Sequence, residues 1–277
     1  PVCMVVLNED QDSSKYEALR DVFRPGHADF TFWKKFGVRD HRGGGRSSGR
    51  ETIGRVCAGA AASKVLASRG VTITAFAEEI AGIKGEIEDF SAIEKNSVRA
   101  ADLEAAALME KAILDAREAH DSVGGIVKLV IRGVPAGLGD PVFFKLDARL
   151  AQAFVSLGAV KGVEFGAGFA SARVRGSRNN DPVAAQGFES NNAGGILGGI
   201  SNGDEIVARI AVKPTPSVFL PQRTVDTAGN ERTIEIKGRH DPCIVPRIIP
   251  VVESMAALVL LDAWSINERI RAVKDLG

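Results

Sequence analysis

Apolar residues fall along this chain in two spacings, and the spacing changes several times. Pro1 to Leu7 (PVCMVVL) is a nearly continuous apolar run that reads as a buried strand. A polar, loop-rich stretch follows as far as Gly49. There the pattern turns helical: Ser48-Gly49-Arg50-Glu51 has the S-x-x-E form of a capping box. Ile53, Val56, Cys57, Ala60, Ala61 and Val65 then recur on one helical face, and Gly70 provides a stop. Val71 to Gly85 reads as strand and then irregular, and Ala100 to Ala119, rich in Ala and Leu with interspersed charges, predicts a helix. Ile126 to Ile131 predicts a strand, 133–143 (GVPAGLGDPVF) a turn-rich connector, Leu146 to Leu157 an amphipathic helix and Val160 to Phe165 a strand. A glycine-dense zone at 191–205 precedes strands expected at Ile206 to Val212 and Thr233 to Lys237. A last helix is expected after Pro250, because proline suits a first turn. There is no regular βαβ rhythm and no strand-GxGxxG-helix fingerprint, so the pattern predicts an α+β fold rather than a dinucleotide-binding one.

Composition narrows this further. A chain of 277 residues with 45% hydrophobic content can bury a full core, as one large domain or two interlocked halves. Its 35 Lys and Arg balance 35 Asp and Glu, so any anion site must come from local clustering, and no pull toward nucleic acid is expected. Cys3, Cys57 and Cys243 are odd in number and never form CxxC, which argues against a disulfide framework or a structural metal site and fits a reducing cytoplasm. No apolar run reaches the roughly eighteen residues of a membrane helix, and no leader pattern opens the chain, so a soluble protein is expected.

The local clusters are four. DHRGGGRSSGRET (40–52) packs Arg42, Arg46 and Arg50 among glycines just before a helix start. Glycines allow close backbone approach, helix N-termini carry partial positive charge, and arginines offer fixed-charge bidentate donors; together they favour an oxyanion. A solvated surface loop and an RGG-type RNA contact are the competing readings, and the capped apolar helix that follows counts against the RNA one. FRPGHADFTF (23–32) sets Arg24 and His27 around a Pro-Gly turn, KPTPS (213–217) places a lysine and two hydroxyls at a strand end, and KGRHDPC (237–243) puts Arg, His and Asp together.

On these residues the chain resembles the chorismate synthase family. The resemblance runs through RPGHADFTF, RGGGRSSGRET, GVPAGLGDPVF, AVKGVEFG, NNAGGILGGISNG, VKPTPS and GRHDPC, in that order. It implies a single domain over 1–277, an α+β sandwich of helices between antiparallel sheets, assembled as a homotetramer. It also implies a 1,4-elimination that converts 5-enolpyruvylshikimate 3-phosphate to chorismate and phosphate with reduced FMN, NADPH being a source of electrons for the flavin. Substrate and cofactor are polyanions, which suits the arginine content of the motifs.

Carried onto this chain, the resemblance implies that Arg24 and Arg50 hold substrate and that Arg239 lies between substrate and flavin. Arg46, Ser47 and Ser48, Gly158 and Ala159, Gly198, and Lys213, Pro214, Thr215, Pro216 and Ser217 match flavin-binding segments. His27 matches a histidine that protonates or stabilises the reduced flavin, and Asp241 an aspartate that works with the flavin in taking the substrate proton. An alternative role for Asp241 is a helix N-cap, and His41, His120 and His240 are read as supporting or surface residues. The family's Gly-Glu-Ser-His-Gly segment has no counterpart among these residues, so the chain is expected to start at a later strand and to lack the acid for the leaving phosphate. Two readings follow: a chorismate synthase, or a non-catalytic relative that binds FMN or another anion.

Overall fold

The structure is a computed structural model that describes residues 2–7, 14–42, 48–236 and 240–274, the side chains of 14, 15 and 271–274 excepted. In chain order its regular elements are α1 (Asp29–Phe36), α2 (Thr52–Ala67), β1 (Thr72–Ile80), β2 (Ile83–Lys84), α3 (Leu103–Glu118), β3 (Gly125–Arg132), α4 (Leu146–Val155) and β4 (Val160–Phe165). They continue as α5 (Gly176–Asn179), β5 (Val183–Ala184), β6 (Gly187–Phe188), β7 (Ile196–Leu197), β8 (Ile200–Ser201), β9 (Ile206–Val212), β10 (Gln222–Val225), β11 (Glu231–Ile234) and α6 (Val245–Lys274).

Five strands form one antiparallel sheet in the order β2-β1-β3-β9-β4. Alternation decides its faces: Val127, Leu129 and Ile131 of β3 and Ile206, Ala208, Ile210 and Val212 of β9 are buried toward the helices. The opposite face carries Glu78 and Arg209, paired through both carboxylate oxygens at 3.0 and 2.8 Å, and a small cluster of Phe76, Val130, Ile93 and Ala101. β1 and β2 are joined by Ala81 and Gly82, both at positive φ (54° and 80°), the conformation of a tight hairpin. The fold is therefore mixed α+β, with helices laid on an antiparallel sheet.

The helical layer is α2, α4 and α6. Gly59, Ala62 and Leu66 of α2 face α6, and a Cβ on Gly59 would stand 2.3 Å from the Cβ of Ser254. Small residues there let the two backbones approach closely. Further contacts run in the same direction along both helices, Arg55 to Met255 near one end and Arg69 to Trp264 and Glu268 near the other. Thus α2 and α6 lie parallel, with their N-termini at the same end of the molecule.

Several sequence expectations need correction. Residues 2–7 are exposed and irregular, since an apolar run becomes a strand only where a neighbour completes its hydrogen bonds and none of the described strands does. The last helix begins at Val245, five residues before Pro250. Burial of Val245, Ile248, Ile249, Val251 and Val252 outweighs one missing backbone donor, and Ser254 Oγ donates back to the Pro250 carbonyl at 2.7 Å. This helix is also apolar and long enough to cross a membrane over Val245–Ile270, contrary to the reading of short apolar runs, although half of its most apolar 18-residue window is buried within the fold. The strand expected at Thr233 to Lys237 is β11 at Glu231–Ile234, paired with the unforeseen β10. Ser48 accepts from the Arg50 amide rather than the Glu51 one, so the cap forms on a short 3-10 turn (Gly49–Glu51), and Glu51 pairs instead with Arg55. His120 lies just past α3 with φ 61°, edge-on to Phe219.

Candidate functional site

Two motifs far apart in sequence meet at one place. The Pro25-Gly26 turn needs a residue at positive φ (68°), and a Cβ on Gly26 would come within 3.1 Å of the Pro216 ring. Lys213 leaves the end of β9 and donates from Nζ to the Gly26 carbonyl at 2.6 Å. Its amide donates to the Ala159 carbonyl, with Ala159 itself at φ 73°, so the 158–159 turn sits beside the lysine. The 213–217 segment is fixed from below, where Ser122 Oγ donates to the Thr215 carbonyl at 2.7 Å and Ser217 is buried.

Arg24 and His27 belong to a charged knot centred on Asp29, whose side chain is 4% exposed. Asp29 Oδ2 accepts from the Arg24 amide at 3.1 Å and from Arg24 Nε at 2.7 Å, while Oδ1 lies 2.9 Å from Arg24 Nη2 and 3.0 Å from His27 Nδ1. Arg39, equally buried, forms an ion pair with Oδ1 at 3.2 Å. Its Nη2 donates to the carbonyls of Leu19, Arg20 and Val22, and the guanidinium stacks on Phe23. Burial opposes ionisation of Asp29, but the Arg24 and His27 hydrogen bonds and charges prevail and hold its carboxyl far below the ordinary range.

The third motif arrives through residues 240–243. Val123 donates to the Pro242 carbonyl at 2.8 Å, and the His240 ring packs on Phe219. Burial, then the charge of Arg24, push the His240 imidazole below its usual value. Asp241 is 40% exposed and pairs with Arg247 at 3.0 Å. With α6 starting at Val245, Asp241 is too far upstream to be its N-cap.

The site residues named from the sequence thus divide. Arg24, His27, Gly158, Ala159, Lys213, Pro214, Thr215, Pro216 and Ser217 come together, with His240 close by. Ser48 and Arg50 lie at the start of α2, exposed or half-exposed, and no described contact joins them to Arg24. Gly198 forms the β7–β8 turn with φ 60°, and its neighbour Gly199 packs on Lys145. Arg46, Ser47 and Arg239 lie outside the described residues. Sequence reasoning missed Asp29, Arg39 and Lys161. The H-x-D spacing of His27 and Asp29 was a legible signal; Arg39 and Lys161 gave none.

Chemically the site suits an anion with polar edges. Lys213 has no carboxylate partner among the described residues, and burial followed by the Lys161 charge lowers its ammonium below the ordinary value. A bound phosphate would reverse that penalty. Thr215 Oγ1 and His240 Nε2 are buried without hydrogen-bond partners among the described residues, which leaves two polar atoms for a ligand to satisfy.

Residues 1–265 match the family model for chorismate synthase. The chain is 55% identical over 262 residues to a chorismate synthase of Syntrophobacter fumaroxidans, covering 95% of this chain and 75% of that one. It is 56% identical over 271 residues to a chorismate synthase of Archaeoglobus fulgidus, again covering 95% and 75%. A crystal structure of chorismate synthase superposes with a TM-score of 0.71 at 31% identity, over 85% of this chain and 69% of that one.

Proposed function

Because the chain belongs to the chorismate synthase family of lyases, we propose that it eliminates phosphate from 5-enolpyruvylshikimate 3-phosphate in the anti-1,4 sense to give chorismate, with reduced FMN as cofactor. The observation that carries the reading is the junction of the 24–29 turn with the 213–217 segment, Lys213 bridging them at 2.6 Å.

The residues divide the work by charge and position. Lys213, Thr215 and Ser217, stiffened by Pro214 and Pro216, hold the FMN phosphate, with Ala159, Gly158, Gly198 and the Arg46-Ser47-Ser48 segment completing the flavin site. The orphaned Thr215 hydroxyl and the uncompensated Lys213 fit such a group. Arg24 and Arg50 grip the anionic substrate, and Arg239 lies between it and the flavin. His27 holds a proton beside the flavin, and Asp241 accepts the proton lost from the substrate, leaving its Arg247 pair to do so. Reduced flavin, when bound, supplies electron density to the allylic centre as phosphate departs.

The reading extends to a cytoplasmic homotetramer that draws electrons for its flavin from NADPH. Association is supported by the apolar run Val142, Phe143 and Phe144, which is 70, 86 and 68% exposed. The test is anaerobic turnover with chemically reduced FMN, following chorismate absorbance and phosphate release together. Equal amounts of both products are expected; flavin binding without either product makes the non-catalytic reading the correct one. In Lys213→Gln, weaker FMN binding with little change in substrate affinity at saturating flavin is expected, and the reverse pattern refutes the lysine's assignment.

A further inference from the structure

We propose that Asp29, braced by Arg39, is a positioning residue that fixes the proton of His27 on Nδ1, turns Nε2 toward the ligand and aims the Arg24 guanidinium. The inference rests on the reading above, in which His27 and Arg24 face flavin and substrate, and names the group that orients both.

The geometry leaves one consistent proton arrangement. His27 Nδ1 lies 3.0 Å from Asp29 Oδ1 and 3.1 Å from Arg24 Nη2. An ionised carboxylate only accepts. A lone pair on Nδ1 would therefore set two acceptors face to face, one with a full negative charge, in a pocket where Asp29 is 4% exposed. Arg24 Nη2 already has Oδ1 as a partner at 2.9 Å and does not need the ring nitrogen. The proton thus sits on Nδ1, donated to Oδ1, and Nε2 is the ring atom with no hydrogen-bond partner among the described residues. A histidine's reactive nitrogen is set by the hydrogen bond its other nitrogen makes.

The carboxylate is in turn kept from rotating. Both oxygens are engaged by Arg24, through the amide and Nε on one side and Nη2 on the other. Behind it, Arg39 is anchored by three backbone carbonyls and the Phe23 ring, and meets Oδ1 as an ion pair rather than a directed hydrogen bond. Arg39 acts through Asp29 and three carbonyls, so its role is support. Two guanidinium groups and an imidazole this close would repel one another without the shared carboxylate.

Imidazole ¹⁵N NMR of the full chain, recorded as a pH series without flavin or substrate and read at its high-pH plateau, tests the assignment. His27 signals are identified by their loss in His27→Gln. The expected result is a dominant Nδ1–H tautomer in the wild type and a mixed population in Asp29→Asn, whose side-chain amide can donate as well as accept. A matching fall in kcat/KM of about 10- to 100-fold is expected, the range seen when an orienting partner is removed. A wild-type Nε2–H tautomer overturns the proposal, as does an unchanged tautomer in Asp29→Asn. If Asp29→Asn does not fold, the wild-type spectrum decides alone. A chain inactive under all conditions, yet with the tautomer lost in Asp29→Asn, upholds the positioning role and refutes only the catalytic reading.

Discussion

The helix-on-sheet core and the 17–42 segment are built on opposite principles. In the core, Phe154, Leu129, Ile131, Leu146, Leu150, Ile206 and Ile210 are all fully buried, and the cohesive term is apolar area removed from water. In the segment only Leu19 and Phe23 are buried among the apolar side chains, whereas Phe30, Phe36 and Val38 are exposed. Its centre is instead Asp29 between Arg24 and Arg39. Apolar burial has no direction and tolerates repacking, but a carboxylate shared by two guanidiniums fixes angles as well as distances. The contrast explains why the arginine and histidine assigned to ligands lie in the segment with the smaller core. Orientation is bought there with ions, at a cost in desolvation that the core does not bear.

The largest effects should come from striking each centre. Phe154→Ala is expected to cost about 3–5 kcal/mol and to lower the urea midpoint of the whole chain. Asp29→Ala is expected to cost about 3–5 kcal/mol as well, but as loss of amide-exchange protection confined to 16–42, with β1, β3 and β9 still protected. Uniform loss in both variants would erase the distinction between the regions. Gly59→Ala comes next, at about 1–3 kcal/mol, because its Cβ would clash with Ser254 and force the helices apart; differential scanning calorimetry reads it, and no shift in Tm would mean that α6 slides freely.

Acid should separate the two regions by a smaller margin. The depressed pKa of Asp29 means that its stabilisation is present above about pH 4 and is lost as pH falls toward its folded value. Glu253, half-buried in α6 and bonded to the Ala75 amide, is pushed the other way by burial, so its contribution is full in acid and fades as pH rises through its folded pKa. The chain's two tryptophans serve as separate probes, Trp33 beside Phe23 in the segment and Trp264 over Arg69 in the core. In single-tryptophan variants the Trp33 emission is expected to change at higher pH than that of Trp264; coincident transitions would make the molecule one cooperative unit. The smallest effect belongs to the exposed Lys111–Asp115 pair, where Lys111→Ala should leave the urea midpoint unmoved.

What the sequence disclosed follows the same division. β3, β4 and β9 and helices α2, α3 and α4 could be read to within three residues, because each carries a full period of its own on a buried face. The start of α6 could not: Pro250 resembles a first-turn proline, and only tertiary burial of Val245 to Ile249 carries the helix upstream of it. The strand expected at 2–7 failed for the complementary reason, since strand pairing is not encoded in the strand alone. Within the site, the motif residues of 24–27 and 213–217 were legible as types, and their contact was not. Asp29 was legible only through its H-x-D spacing with His27, because its other partners, Arg24 and Arg39, flank it at distances that follow no helical or strand period.

Gly59 acts as a fulcrum. It marks a close approach of two parallel helices, and the segments just ahead of those helices carry Ser48 and Arg50 on one and His240 and Asp241 on the other. The gap between those segments is therefore gauged in the middle of the protein by an absent methyl group, well away from any ligand. A side chain added there would act as a wedge, spreading two loops whose sequences it never touches.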